Sequence, residues 1–262
     1  MVDQRKIVEF ARELIKAEDE RKPVDPLTER AELSIEDAYK IQLEIVEIKK
    51  RRGEKVIGKK IGLTSRRIQQ ALGVYQPDYG HIMDKLVLRE GSPIFLSELI
   101  QPKIEVEIAF IFKDDLNGPG VTAAEVLRCT GGFLPAFEVI DSRIKDWKIK
   151  IQDTIADNAS IGRVIWGSPL SSVYGVDLRN VGVVVRKNGE VVETAAGAAV
   201  LGNPAESVAW LANRLSEYGV GLKRGEIVIS GSLIGAIGLE EEDVIQADFG
   251  DGLGSVTAYV RK

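Results

Sequence analysis

A chain of 262 residues that is 44% hydrophobic and 29% charged has the make-up of a folded protein able to bury a large core, which argues against disordered or collagen-like structure. A formal net charge of -5 disfavours a nucleic-acid-coating surface, and no stretch reaches the roughly 18–20 unbroken apolar residues of a membrane span. With one cysteine, Cys129, and one histidine, His81, an internal disulfide, a cysteine zinc cluster and His-based triads fall away, so any catalysis must rest on carboxylates, lysines and hydroxyls.

The opening MVDQRKIVEF is charged and lacks the apolar stretch of a signal peptide. Together with the lone cysteine, taken as a buried thiol, it points to a cytoplasmic protein. Residues 4–20 and 35–52 are predicted as amphipathic helices. Ser34 caps the second, Asp37 lies in its first turn, Gly53 closes it, and Ala38, Ile41, Ile45 and Ile48 form one apolar stripe. The basic run Lys49-Lys50-Arg51-Arg52 sits where cations complement a helix dipole.

Gly53-Glu-Lys-Val-Ile-Gly58-Lys59 imitates the start of a phosphate-binding loop, but position 60 is Lys where Ser or Thr is needed, and the stretch leads from a helix into a strand. Short β-branched runs then dominate: KVIGKKIGL, IEVEIAFIF, VGVVVRKNGEVVET, GEIVISGSL and GSVTAYV. Asn188-Gly189 between two of them signals a type I′ hairpin. One helix is expected from Thr122, with Glu125 completing a capping box, and another from Asn203, with Pro204 at its first position and Gly219 after its end. The strands do not alternate regularly with helices, which disfavours a doubly wound sheet or a (β/α)₈ barrel. The expected architecture is α+β: an N-terminal helical lobe, residues 1–55, packed on a mixed, largely antiparallel β-rich body, residues 56–262.

Within IEVEIAFIF, Ile104, Val106, Ile108 and Phe110 share one face, while Glu105, Glu107, Ala109 and Ile111 share the other. Both faces look partly buried, so the two acids would repel and lose hydration unless they bind protons or a cation. Glu138 is likewise the only charge on the Leu134, Ala136, Ile140 face of FLPAFEVID. Three such acids make a hard-oxygen set suited to Mg²⁺ or Mn²⁺. A solvated face or ion pairs with neighbouring cations would give the same pattern. Lys60 shares a face with Val56, Gly58 and Gly62, where glycines admit close approach, and Lys59 lies among Ile57, Ile61 and Leu63. Both lysines also fit the surface of an edge strand. Asp78 in QPDYG reads as a turn former or a site acid, and DNAS (157–160) as turn chemistry or substrate binding.

The segments GKKIGLTS, LGVYQPDYG, IQPKIEVEIAFIF, GPGVT, FEVIDSRIKDWKIKIQDTIADNAS, KNGEVVETAAGAAVLGNP and VAWLANRL resemble, in order and spacing from about residue 35 onward, the 2-hydroxypenta-2,4-dienoate hydratases (2-oxopent-4-enoate hydratases) of meta-cleavage aromatic degradation. The resemblance implies the mixed β-roll of the wider fumarylacetoacetase-like superfamily, a homo-oligomer, and a Mg²⁺ or Mn²⁺ ion held by Glu105, Glu107 and Glu138. It further implies an active-site lysine at Lys60, an active-site aspartate at Asp78, and a small 2-hydroxydienoate or 2-oxo acid substrate. Ser160 and Thr64 become substrate-binding candidates. The sister 4-oxalocrotonate decarboxylase is the alternative activity, although QPDYG and DWKIKIQDT resemble the hydratase branch. A complex with that decarboxylase, or a role as its non-catalytic partner subunit, completes the set of readings. Asn203 in LGNP departs from the family pattern, at a helix cap.

Overall fold

The two N-terminal helices begin at side-chain caps. Asp3 accepts from the Lys6 N–H at the start of α1 (Gln4–Glu20), and Ser34 with Asp37 forms the reciprocal capping box of α2 (Ile35–Arg51). The structure, a computed structural model, describes residues 2–66, 69–70 and 73–262. Following α2 come β1 (Val56–Gly62), β2 (Asp78–Met83), β3 (Val87–Leu88), β4 (Pro93–Phe95) and β5 (Lys103–Phe112). Helix α3 (Ala123–Cys129) opens with the Thr122–Glu125 capping box and leads into β6 (Thr130–Ile140). Then follow α4 (Ile151–Ala156), β7 (Ile161–Trp166), β8 (Gly182–Lys187), β9 (Glu190–Ala196) and α5 (Pro204–Ser216). Asn188 and Gly189 both have positive φ, as a type I′ turn requires. Strands β10 (Ile227–Ile229), β11 (Ile237–Gly238), β12 (Val244–Phe249) and β13 (Gly254–Arg261) end the chain.

The strands form an eight-stranded sheet ordered β2-β1-β10-β5-β6-β7-β3, with β11 also paired to β5, and a five-stranded sheet ordered β4-β13-β12-β8-β9. Most pairings are antiparallel; β1–β10, β13–β4 and β3–β7 are parallel. The expected α+β class with a mixed β-roll body therefore describes the molecule. Ile104, Val106, Ile108 and Phe110, one face of β5, enter the main core together with Val183, Val185, Ile245, Ala247 and Val256 of the smaller sheet. The other face carries a second apolar cluster, with Ala109, Ala136, Val164 and Ile229 packed near Val46 of α2. A strand buried on both faces leaves any charge on it short of water. No described helix is long and apolar enough to cross a membrane.

Two of the alternatives that the sequence left open are excluded. Strand β1 runs between β2 and β10, so Lys59 and Lys60 do not lie on an edge; both are buried, and Lys59 pairs with Glu226 at 3.3 Å. Asp78 is no turn former: it is the buried first residue of β2, in register with Gly62 of β1.

Helix α2 is tied to the body by Gln42, a fully buried amide whose Nε2 donates to the carbonyls of Tyr79 (2.9 Å) and Ile155 (2.8 Å) while Oε1 lies 3.0 Å from His81 Nδ1. Burial, then the charges of Lys59 and Lys50, pushes the His81 imidazole down to about 3, so the ring is neutral and can donate to that amide oxygen. Gln42→Leu takes an amide donor from two buried carbonyls and should cost about 1–3 kcal/mol. At about 2–4 °C per kcal/mol for a chain of this size, calorimetry should register a clear fall in Tm; an unchanged Tm contradicts the link.

Candidate metal centre and active-site cavity

Strand register brings the three glutamates together. Glu105 of β5 is the direct cross-strand partner of Glu138 of β6, and Glu107, two residues along, opposes Ala136. One carboxylate oxygen from each of Glu105, Glu107 and Glu138 lies within 4.8 Å of the other two. Glu107 and Glu138 are fully buried and Glu105 is half-buried at the rim. Such a cluster cannot stand as three free charges.

The compensation within the chain is partial. Lys60 reaches in from β1 with Nζ 3.1 Å from Glu138 Oε1 and donates a hydrogen bond to the Ala159 carbonyl at 3.0 Å. The Gly231 N–H donates to Glu107 Oε2 at 2.7 Å. Glu107 Oε1 and Glu138 Oε2 remain buried without a hydrogen-bond donor, and Glu138 Oε1 has only the Lys60 ammonium beside it. Burial first, then Glu138, pushes Glu105 up to about 7. Burial likewise raises Glu107 well above the usual carboxylate range, and raises Glu138 despite the pull of Lys60. Burial works against the Lys60 charge, but Glu138, Asp78, Glu105 and Glu107 outweigh it and its pKa is raised. A converging set of carboxylate oxygens with orphaned lone pairs is what a hard divalent cation fits, and the histidine and cysteine ligands favoured by zinc are missing from it.

Asp78 completes the constellation. Its Oδ1 is buried without a partner, and its pKa is raised by burial against the lowering charge of Lys60. Close approach depends on Gly62, where a Cβ would land on Asp78 Oδ1 and within 3.3 Å of Lys60 Nζ. Lys60, Asp78, Glu105 and Ser160 all line one cavity of about 170 Å³, with Leu63, Ile140, Trp147, Ile149 and Thr154 among its other walls. Glu107 and Glu138 lie behind its floor. Thr64 is not brought to this cavity: it is buried against Gly231, and its carbonyl accepts from the Leu201 N–H.

At the back of the site lies DNAS (157–160), which the sequence left open between turn chemistry and substrate binding. Asn158, Ala159 and Ser160 hold φ values of 52°, 51° and 55°, three successive non-glycine residues in the left-handed region, each costing about 1–2 kcal/mol. The turn aims the Ala159 carbonyl at Lys60. It is held by the Asn158 side chain, which accepts from His81 N–H at 2.8 Å and donates to the His81 carbonyl at 2.9 Å, and by the buried pair Asp157–Arg143. Spacing gave no hint of this, because Arg143 and Asp157 meet only through the fold. Trp147 is fixed by its Nε1 donating to the Gln101 carbonyl at 3.1 Å, with Lys103 Nζ 4.8 Å from its ring centre.

Comparison with known proteins adds independent findings. A family model described as fumarylacetoacetate (FAA) hydrolase C-terminal matches residues 77–261. A 2-hydroxypent-2,4-dienoate hydratase of Pseudomonas putida is 52% identical over 221 residues, covering 84% of this chain and 100% of the relative. A 4-oxalocrotonate decarboxylase of Pseudomonas sp. (strain CF600) is 44% identical over 227 residues, 87% of this chain and 86% of the relative. Among solved structures, 4-oxalocrotonate decarboxylase from Pseudomonas putida G7, complexed with magnesium and adipate, matches with a TM-score of 0.96 at 39% identity over 99% of both chains.

The raised carboxyl groups fix the sign of a pH effect. A carboxyl with a higher pKa folded than unfolded stabilises fully below its ordinary value of 4.5, and that contribution is lost as pH rises through the folded value, about 7 for Glu105. Chelator-treated protein should therefore lose Tm between about pH 5 and pH 8 through this cluster. Glu107→Gln removes one of the repelling acids, and at pH 8 it should melt a few degrees higher than the chelator-treated parent and show a flatter decline; a lower Tm contradicts the charge assignment.

Proposed function

The chain belongs to the fumarylacetoacetate hydrolase C-terminal family, in the branch of the dienoate hydratases and oxalocrotonate decarboxylases, and from that premise we propose that it is a divalent-metal-dependent hydro-lyase of meta-cleavage aromatic degradation. It adds water to 2-hydroxypenta-2,4-dienoate (2-oxopent-4-enoate) to give 4-hydroxy-2-oxopentanoate. In this reading Glu105, Glu107 and Glu138 hold Mg²⁺ or Mn²⁺, and the ion supplies Lewis-acid polarisation of the α-keto acid end of the substrate. The fit rests on the orphaned oxygens of Glu107 and Glu138.

The chain's own residues do the rest. Lys60, kept charged by the surrounding acids, is a fixed cation beside the place where enolate charge develops on the 2-oxygen. Asp78 Oδ1, buried and inclined by burial to keep a proton, is the atom that holds and moves a proton. Two transfers must be served: the enol proton leaves oxygen 2 as carbon 5 gains one, and then water adds at carbon 4 with a proton delivered to carbon 3.

The observation that carries the hydratase reading over the decarboxylase is the apolar side of the cavity, Leu63, Ile140, Trp147 and Ile149, with Lys60 the one cation among its described lining residues. A vinyl terminus suits that wall. The second carboxylate of 4-oxalocrotonate would lose its hydration there, where the described lining offers it no cation besides Lys60. A non-catalytic partner subunit would have no need of buried, mutually repelling acids.

The proposal extends to a cytoplasmic homo-oligomer able to associate with the sister decarboxylase. Its supports are the single buried thiol Cys129, the exposed apolar Val191 and Val192 on β9, and the fold shared with the decarboxylase along the whole chain. It also treats residues 1–55 as a helical lobe serving the body 56–262.

An ultraviolet assay of freshly made 2-hydroxypenta-2,4-dienoate, with 4-oxalocrotonate in parallel, tests the reading. Loss of the dienoate should require Mg²⁺ or Mn²⁺ and stop with chelator. Lys60→Met should lower kcat about 10²–10³-fold, and Asp78→Asn by a similar factor. Turnover of 4-oxalocrotonate alone would install the decarboxylase instead.

A further inference from the structure

The strained turn behind Lys60 carries more than a backbone carbonyl. Ser160 lines the cavity, and its Oγ lies 3.1 Å from Asp157 Oδ2. Asp157 is fully buried and is held from several sides: Arg143 Nε donates to Oδ1 at 2.6 Å, the Arg143 N–H to Oδ2 at 3.0 Å, and Ser142 Oγ to Oδ2 at 3.5 Å. The remaining guanidinium donors go to the carbonyls of Asp141, Ile161 and Asp157 itself. None of these groups is used by the chemistry assigned so far, although the arrangement is costly to build.

Direction of donation is what matters. An ionised carboxylate only accepts, so the single hydroxyl proton of Ser160 must point at Asp157, away from the cavity. The Ser160 oxygen then offers only lone pairs on the substrate side. Thr154 Oγ1, 3.4 Å away, can fill at most one of them. Resting on the hydration reading, we propose that Asp157 is a positioning residue that acts through Ser160: by taking the Ser160 proton it makes Ser160 Oγ an acceptor, and that acceptor holds and aligns the attacking water. With the enol oxygen assigned to Lys60 in that reading, the water is the reactant donor left for Ser160.

The charges around Asp157 suit the task. Arg143 lies against it from the loop after β6. Glu18 of α1 and Lys49 of α2, themselves paired, line the small space beneath it, and Asp141 takes the Ile100 and Gln101 N–H groups beside that loop. Burial pushes Asp157 up to about 6 against the lowering charge of Arg143, so it accepts at neutral pH and stops doing so in mild acid.

A double-mutant cycle in the dienoate assay, run at saturating Mn²⁺, tests this. Asp157→Asn replaces the charge with an amide whose NH₂ group meets an Arg143 donor in either orientation, so it weakens the acceptor of the Ser160 proton and should lower kcat about 10–100-fold with little change in Mn²⁺ affinity. Ser160→Ala should do the same, and the double variant should be no slower than Ser160→Ala alone, because both changes remove one function. Multiplying losses overturn the inference, as does an Asp157→Asn enzyme with unaltered kcat. If Asp157→Asn does not fold, the kcat–pH profiles at saturating Mn²⁺ decide: the step near pH 6 that Asp157 sets should be present in the parent and absent from Ser160→Ala, which keeps only the limb set by the other site acids, whereas superimposable profiles overturn the inference. An inactive parent sinks the hydration reading and this inference together; an active parent with multiplying losses sinks the inference alone.

Discussion

Three carboxylates sit on the dry face of a sheet with one lysine to answer them, and that imbalance governs the rest of the molecule. Strands β5 and β6 are buried on both sides, so Glu107 and Glu138 have no access to water. Their charges must be met by protons, by Lys60 or by an added cation. A fold does not keep such a cluster for stability, because replacing it with apolar side chains would serve packing better. The cluster is a binding device, and its cost falls on the metal-free state.

The surrounding structure can be understood as what that device demands. Antiparallel register places Glu105 opposite Glu138 with no loop involved, so the acids sit on rigid elements. Parallel pairing of β1 to β10 puts Lys60 on the same side of the sheet. Gly62 lets Asp78 approach Lys60, and Gly231, in a backbone region only glycine adopts readily, lets its N–H reach Glu107 while Thr64 packs against it. The three left-handed residues 158–160 bring the Ala159 carbonyl to Lys60, with the Asp157–Arg143 pair bonded directly beside them. Helix α2 then braces β2 through Gln42, one strand away from the lysine.

Much of this was legible along the chain. The caps at Ser34, Thr122 and Asn203, the Asn188-Gly189 hairpin and the two faces of IEVEIAFIF are local features, set by neighbours two to four residues apart, and each stands in the structure. The three acids stood out as lone charges on apolar faces, and the family resemblance then grouped them as one ligand set. What resisted was anything decided by long-range pairing. QPDYG has the composition of a turn, yet Asp78 is drawn into a strand by its partner Gly62 on β1. Lys59 and Lys60 looked like edge residues because the strand that covers them, β10, lies far along the chain. Arg143 and Asp157 carry no pattern at all until β6 and β7 pair and bring their flanking loops together. Thr64, next to GKKIGL in sequence, is not among the cavity's described lining residues and packs against Gly231 instead.

The account stands or falls on what the carboxylates bind. Isothermal titration of chelator-treated protein with Mn²⁺ at pH 8 addresses that directly. It should show one saturable ion per chain, with affinity reduced in Glu107→Gln and Glu138→Gln by more than the roughly 10–100-fold typical of losing a group that merely orients a ligand. Absence of saturable binding, or equal affinity in the parent and both variants, would contradict the account.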